Sequence, residues 1–133
     1  MSVTYISATL RRQVRERAHY QCEYCGIHEE ETEFGCEVDH ILSEKHGGAT
    51  MADNLALACF FCNRNKGSDI GSVRNSDDPV LIRFFNPRID SWAMHFERDS
   101  AFRIAGKTDI GRVTARIFGF NAEGRRLERE AAS

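Results

Sequence analysis

Two short cysteine pairs, Cys22-x-x-Cys25 and Cys59-x-x-Cys62, constrain this chain more than any other feature. Thiols spaced this way can bite one ion from a tight turn, and two such pairs supply the four corners of a tetrahedral zinc site. The sequence shows no export signal, so metal binding is expected in place of disulfides. The fifth thiol, Cys36, belongs to neither pair and is expected to be a buried free cysteine. A zinc ion held by Cys22, Cys25, Cys59 and Cys62 would be closed and structural, with no position open to substrate. Between the pairs lie 33 residues, more than a compact zinc ribbon contains. The insert is expected to form a catalytic loop clamped at both ends.

That insert carries Glu37-Val38-Asp39-His40-Ile41, then Gly47-Gly48, then Asn54-Leu55, and the second thiol pair runs on as Cys59-x-x-Cys62-Asn63-x-x-Lys66. In this order and spacing the motifs resemble the HNH endonuclease family over residues 10–68. The resemblance implies a ββα-metal finger, two short strands and a helix that grip one divalent cation. It also implies DNA, double-stranded by preference, as the partner, cut to leave 3′-hydroxyl and 5′-phosphate ends. Two positions vary from the pattern. Asn63 stands where many members have His, and Asp39 where some have His. Both supply oxygen, one neutral and one charged, which favours a hard catalytic ion such as Mg2+ or Mn2+.

Phosphodiester hydrolysis needs an activated water, charge neutralisation at phosphorus and a stabilised leaving oxygen. His40 is the natural general base, because imidazole is the side chain whose ordinary charge change falls near neutrality. Asp39 and Asn63 are the expected ligands of the catalytic ion. By resemblance, Asn54 orients His40 and pins the loop. Lys66, one helical turn beyond Asn63, and Lys45 and His46 in the glycine loop are candidate phosphate contacts. Arg11 and Arg15, on a helix beside the first thiol pair, complete the candidate nucleic-acid face. Asp39 and His40 are neighbours, so a regular strand would point them to opposite faces.

Composition bounds these readings without deciding them. With 133 residues, 41% of them hydrophobic, the chain suits one soluble domain with its own core. It has no run long enough for a membrane span, and a cytoplasmic location is expected. A formal charge of −2 argues against strong non-specific DNA affinity. Charge is nevertheless segregated: residues 1–20 hold Arg11, Arg12, Arg15 and Arg17 against Glu16, and residues 101–120 hold Arg103, Lys107, Arg112 and Arg116 against Asp109. Phosphate contacts depend on such local patches. No small-molecule substrate is suggested.

Local pattern predicts an α+β fold. After a lead-in from Thr4, Ser7 or Thr9 caps a helix from Leu10 to His19 with Leu10, Val14 and Ala18 on one stripe. Residues 34–41 alternate as a strand with Phe34, Cys36 and Val38 on one face, and a short helix starts at Asn63. Residues 69–79 read as a linker. Beyond it, Trp92, Met94 and Phe96 alternate as a strand with residues 102–105 as hairpin partner. Thr108 caps a helix with Ile110, Val113, Thr114 and Ile117 on one face, and Asn121 starts a last charged helix. The expected organisation is an HNH core over 1–78 with a strand, hairpin and helix extension over 79–133, packed as one domain. Two other functions fit the same residues: a zinc-stabilised nucleic-acid-binding module that does not cut, and an RNA nuclease on the same scaffold.

Overall fold

The computed structural model describes residues 5–133, so Thr4 of the lead-in lies outside the described residues. Eleven elements follow in order: α1 (Ala8–Arg17), β1 (Cys36–His40), β2 (Leu55–Cys59), α2 (Phe60–Lys66), β3 (Gly71–Val73), β4 (Leu81–Arg83), α3 (Trp92–His95), β5 (Phe96–Arg98), β6 (Ile104–Gly106), α4 (Asp109–Phe118) and α5 (Glu123–Ala131). The strands form three two-stranded antiparallel sheets, β1-β2, β3-β4 and β5-β6. The fold is thus a mixed α/β arrangement of small sheets and helices.

A two-stranded ribbon is marginal alone in water, so β1-β2 must be covered by other elements. Every residue of β2 is buried, while β1 alternates buried and exposed positions. On one side α1 contributes Val14, fully buried, and its arginines cap backbone oxygens of the ribbon. Arg15 Nη1 donates to the Cys36 carbonyl at 3.2 Å, and Arg17 donates to the Ala52 and Leu55 carbonyls at 2.8 and 2.7 Å. Ser7 caps α1 by accepting from the Leu10 amide, as the sequence suggests. Helix α2 continues directly from β2 and packs back on β1.

The second half builds a separate aromatic cluster that runs into the first. Phe118 contacts Tyr24 of the first cysteine knuckle at a ring separation of 5.0 Å and Phe84 at 5.1 Å. Phe96 contacts Phe85 at 5.3 Å and Phe120 at 5.5 Å. Trp92 Nε1 donates to the Tyr24 carbonyl at 2.8 Å. Phe84, Phe85, Phe96, Phe118 and Phe120 therefore form core, with Trp92 packed against them. Inside it the Thr114 hydroxyl accepts from the Phe85 amide at 2.8 Å, so its burial leaves no polar atom stranded.

Several local expectations are corrected. Trp92 and Met94 lie in the helical turn α3, not in a strand, and only Phe96 enters β5. Alternation over so few residues does not separate a strand from one helical turn. Residues 69–79, expected as a linker, contain β3, which pairs with β4 on the far side of residue 78. Phe34 is 57% exposed and stands outside β1, because Gly35 takes a positive φ of 69° between them. Helix α2 begins at Phe60, with Cys59 as its cap. Asn121 does not cap α5; both ends of its amide are spent on the Ile104 backbone at 2.8 Å.

Candidate active site and four-cysteine centre

The Sγ atoms of Cys22, Cys25, Cys59 and Cys62 all lie within 4.8 Å of one another, and all four residues are buried. A tetrahedron with Zn–S bonds of about 2.3 Å has edges of roughly 3.8 Å. The Cys25 and Cys59 sulfurs are 3.7 Å apart, close to that edge. Each knuckle is shaped by its own turn: the Cys25 amide donates to the Cys22 Sγ at 3.4 Å and the Cys62 amide to the Cys59 Sγ at 3.5 Å. Gly26, at a φ of 84°, lets the chain leave the first knuckle in the left-handed region. The quartet fits a zinc ion. Hydrogen bonds from its neighbours, Cys22 first, lower the Cys25 pKa, whereas burial pushes Cys22 and Cys62 up. Cys36 stands apart from the quartet; burial raises its thiol to about 12, which keeps it protonated.

Asp39 and His40 end β1. The ladder runs unbroken through both, Asp39 opposite Ala56 and His40 opposite Leu55, so the pleat is regular there. His40 falls on the buried face with Cys36 and Val38 and is only 2% exposed; Asp39 is half-buried on the other face. The His40 Nε2 is hydrogen-bonded to the Thr50 hydroxyl at 2.8 Å, with Glu44 Oε1 at 4.0 Å. Its Nδ1 has no hydrogen-bond partner among the described residues although it is buried.

Asn54 is the clasp of the glycine loop. Its Oδ1 accepts from the Leu42 amide, and its Nδ2 donates to the Leu42 and Ala49 carbonyls, all at 2.9 Å. The clasp closes on Gly48, where any Cβ would collide with the Leu42 carbonyl oxygen and lie 2.8 Å from the Asn54 Nδ2. Asn54 holds the segment that carries Thr50 against His40, and its amide makes these three bonds to backbone and none to the imidazole itself. Thr50 was not visible as a site residue in the sequence. A threonine in a polar loop carries no pattern that marks its partner.

The other candidates separate into two groups. Asn63 is half-buried on α2, and Lys45 and His46 are exposed in the glycine loop. Lys66 is 3% exposed, and its ammonium donates to the His40 carbonyl at 3.0 Å. Burial lowers its pKa while Asp39 and Asp69 raise it. The Asp39 carboxyl is raised by burial, against the lowering influence of Lys66. Arg11 donates to the Ile6 carbonyl at 3.0 Å, and Arg15 pairs with Glu29 at 2.7 Å as well as with the ribbon. These arginines and Lys66 hold the fold around the site, whereas Lys45 and His46 stay exposed in the glycine loop. A cavity of about 540 Å³ is lined by Arg17, Cys22, Cys25, Asp90, Trp92 and Arg98 among others, but by none of Asp39, His40, Asn54 or Asn63.

The span from the first thiol to just beyond Lys66 is the part that known families account for. The family model described as HNH endonuclease matches residues 22–69. This stretch resembles an HNH domain. It contains the four cysteines, β1, β2 and α2, and it covers about a third of the chain. HNH proteins are in general nucleases, hydrolases that act on nucleic acids with divalent metals, and the match points to a nuclease-type function at that level. No curated protein and no solved structure matches the chain. None of the described helices is long and apolar enough to cross a membrane.

Proposed function

We infer that the protein is a metal-dependent endonuclease that hydrolyses phosphodiester bonds of DNA, with β1, β2 and α2 as its ββα-metal finger. The observation that carries this reading is His40: a buried imidazole with one nitrogen held by Thr50 and the other without a hydrogen-bond partner among the described residues. Buried polar atoms are rarely orphaned, and an unpaired one at a site marks a place for a reacting group or water. With Thr50 accepting from Nε2–H, the Nδ1 lone pair is the base that takes the proton from the attacking water. Asn54 keeps that arrangement by tying the loop at Leu42 and at Ala49, the residue before Thr50.

Asp39 and Asn63 would hold the catalytic ion, of the Mg2+ or Mn2+ type, since they offer one charged and one neutral oxygen. Their half-buried positions on the packed β1 and α2 suit a site completed by water and phosphate. Such an ion supplies charge neutralisation at the phosphoryl group and at the leaving 3′ oxygen. Zinc at the four cysteines holds the framework and takes no part in the chemistry. Lys45 and His46, exposed in the glycine loop, would meet the phosphate backbone. The chain works as one unit, since β3 and β4 join its two halves, and cysteines that hold zinc would need a reducing compartment.

The experiment is cleavage of supercoiled plasmid with Mg2+ by the parent protein and by His40→Ala. The substitution is expected to lower the rate by roughly 10² to 10⁴-fold, the usual contribution of acid–base catalysis, with zinc content unchanged. Parent protein without activity on double- or single-stranded DNA would leave a zinc-stabilised binding module; activity confined to RNA would move the substrate class. Equal rates for parent and variant would remove His40 from the mechanism.

A further inference from the structure

The HNH match ends at residue 69, yet the four-cysteine centre is finished by a side chain far beyond it. Arg125, in the first half of α5, is 5% exposed. Its Nη2 donates to the Cys62 Sγ at 3.0 Å and to the Cys59 Sγ at 3.5 Å, while Nη1 donates to the Phe118 carbonyl at 2.6 Å. The guanidinium carbon lies 5.5 Å from the centre of the Phe61 ring and 5.8 Å from that of Phe120. Among the described residues no carboxylate bonds to it. A buried cation is strongly disfavoured unless an anion compensates it, and the only groups here able to carry negative charge are the cysteine sulfurs. Four thiolates around one divalent ion leave about two negative charges on the centre, so cation and centre answer each other.

We propose that Arg125 is a positioning and charge-compensating residue of the zinc centre, through which α5 fastens the C-terminal half of the chain to the HNH domain. This rests on the reading of the four cysteines as a zinc site. N–H donors to a thiolate withdraw charge from sulfur, which makes it a poorer nucleophile and a poorer site for protonation. The metal is therefore held longer, and its thiolates are shielded from oxidants and alkylating agents. Arg129, one turn further along α5, is the internal control. It is 3% exposed and donates to the Phe102 and Phe120 carbonyls at 2.9 and 2.7 Å, but makes no hydrogen bond to sulfur.

The test uses the full chain and four proteins: parent, Arg125→Gln, Arg125→Lys and Arg129→Gln. Zinc content of the purified parent comes first; a well-folded parent without zinc defeats the zinc reading itself, separately from the role of Arg125. Zinc transfer to a coloured chelator is then followed with and without iodoacetamide. Arg125→Gln is expected to weaken zinc retention by about 10 to 100-fold, the usual effect of removing an outer-sphere partner, and Arg125→Lys by less. In Co2+-substituted protein the thiolate-to-metal charge-transfer band should move to longer wavelength in both Arg125 variants and stay in place in Arg129→Gln. If Arg125→Gln cannot be isolated, the band position and release rate of Arg125→Lys carry the test. Parent-like bands in the Arg125 variants, or release rates no faster than that of Arg129→Gln, would overturn the proposal and leave Arg125 as a helix-docking residue.

Discussion

The Asp39 carboxyl sits half-buried at the end of β1, where burial raises its pKa and the Lys66 ammonium pulls it back only in part. A carboxyl whose folded pKa lies above its unfolded value of about 3.9 favours the fold while protonated and loses that contribution as pH rises through the folded value. The ionised form that would bind a cation is thus the form that the empty fold resists. Asp39→Asn imitates the protonated carboxyl. In Mg2+-free buffer at pH 7 the variant should melt at or above the parent temperature, and the gap should close as pH falls toward the raised pKa. Cleavage should be lost at every pH. Thermal scans from about pH 5 to 8 check this; a variant that melts well below the parent throughout would show that the ionised carboxylate supports the fold.

At the scale of elements, the loop between β1 and β2 is where sequence and geometry meet most tightly. Its two adjacent glycines serve different ends. Gly47 has a φ of 88° with open space around its α-carbon, whereas Gly48 packs its α-carbon against the Leu42 carbonyl and the Asn54 amide. Gly47→Ala should therefore cost about 1–2 kcal/mol of backbone strain and leave the clasp intact. Gly48→Ala should cost both stability and function, because the Leu42 backbone must shift, the Asn54 clasp must open and Thr50 shifts away from His40. Urea unfolding paired with plasmid nicking separates the two. Both variants nicking at the parent rate would mean that the clasp does not position His40. The glycine pair was legible in the sequence as a loop; which glycine makes the close approach was not, since φ and neighbouring atoms depend on how the loop is folded back.

Across the whole molecule, the four-cysteine centre lies at the junction of the halves. Tyr24 of the first knuckle reaches the Phe118 cluster, and Glu23 accepts from the Leu57 amide at 2.8 Å and pairs with Arg88. Stripping the metal should therefore loosen more than the two knuckles. Purified protein is expected to hold about one zinc per chain, and Cys59→Ser or a strong chelator should yield poorly folded protein that exposes apolar surface. Elemental analysis with dye binding reads this out. Full native stability after complete zinc loss would assign the framework to the aromatic core alone. The physical ground for that outcome is length: a chain of this size can bury a core without a metal.

The HNH domain, the pairing of the thiols, the strand that ends in Asp39 and His40, the Ser7 and Thr108 caps and the amphipathic α4 were all readable from residues close together in the chain. Their signals are short-range: motif spacing, capping side chains and helical period act over a few residues. Tertiary structure alone decided the rest. Thr50 meets the His40 imidazole only because Asn54 folds the loop back. Lys66 turns inward to the His40 carbonyl because α2 packs on β1. Arg125 reaches Cys62 across 63 residues of chain, from a helix whose charged sequence reads as solvated. A charged side chain is placed outside by its own hydration and inside only by a partner that compensates it, and that partner is supplied by the fold.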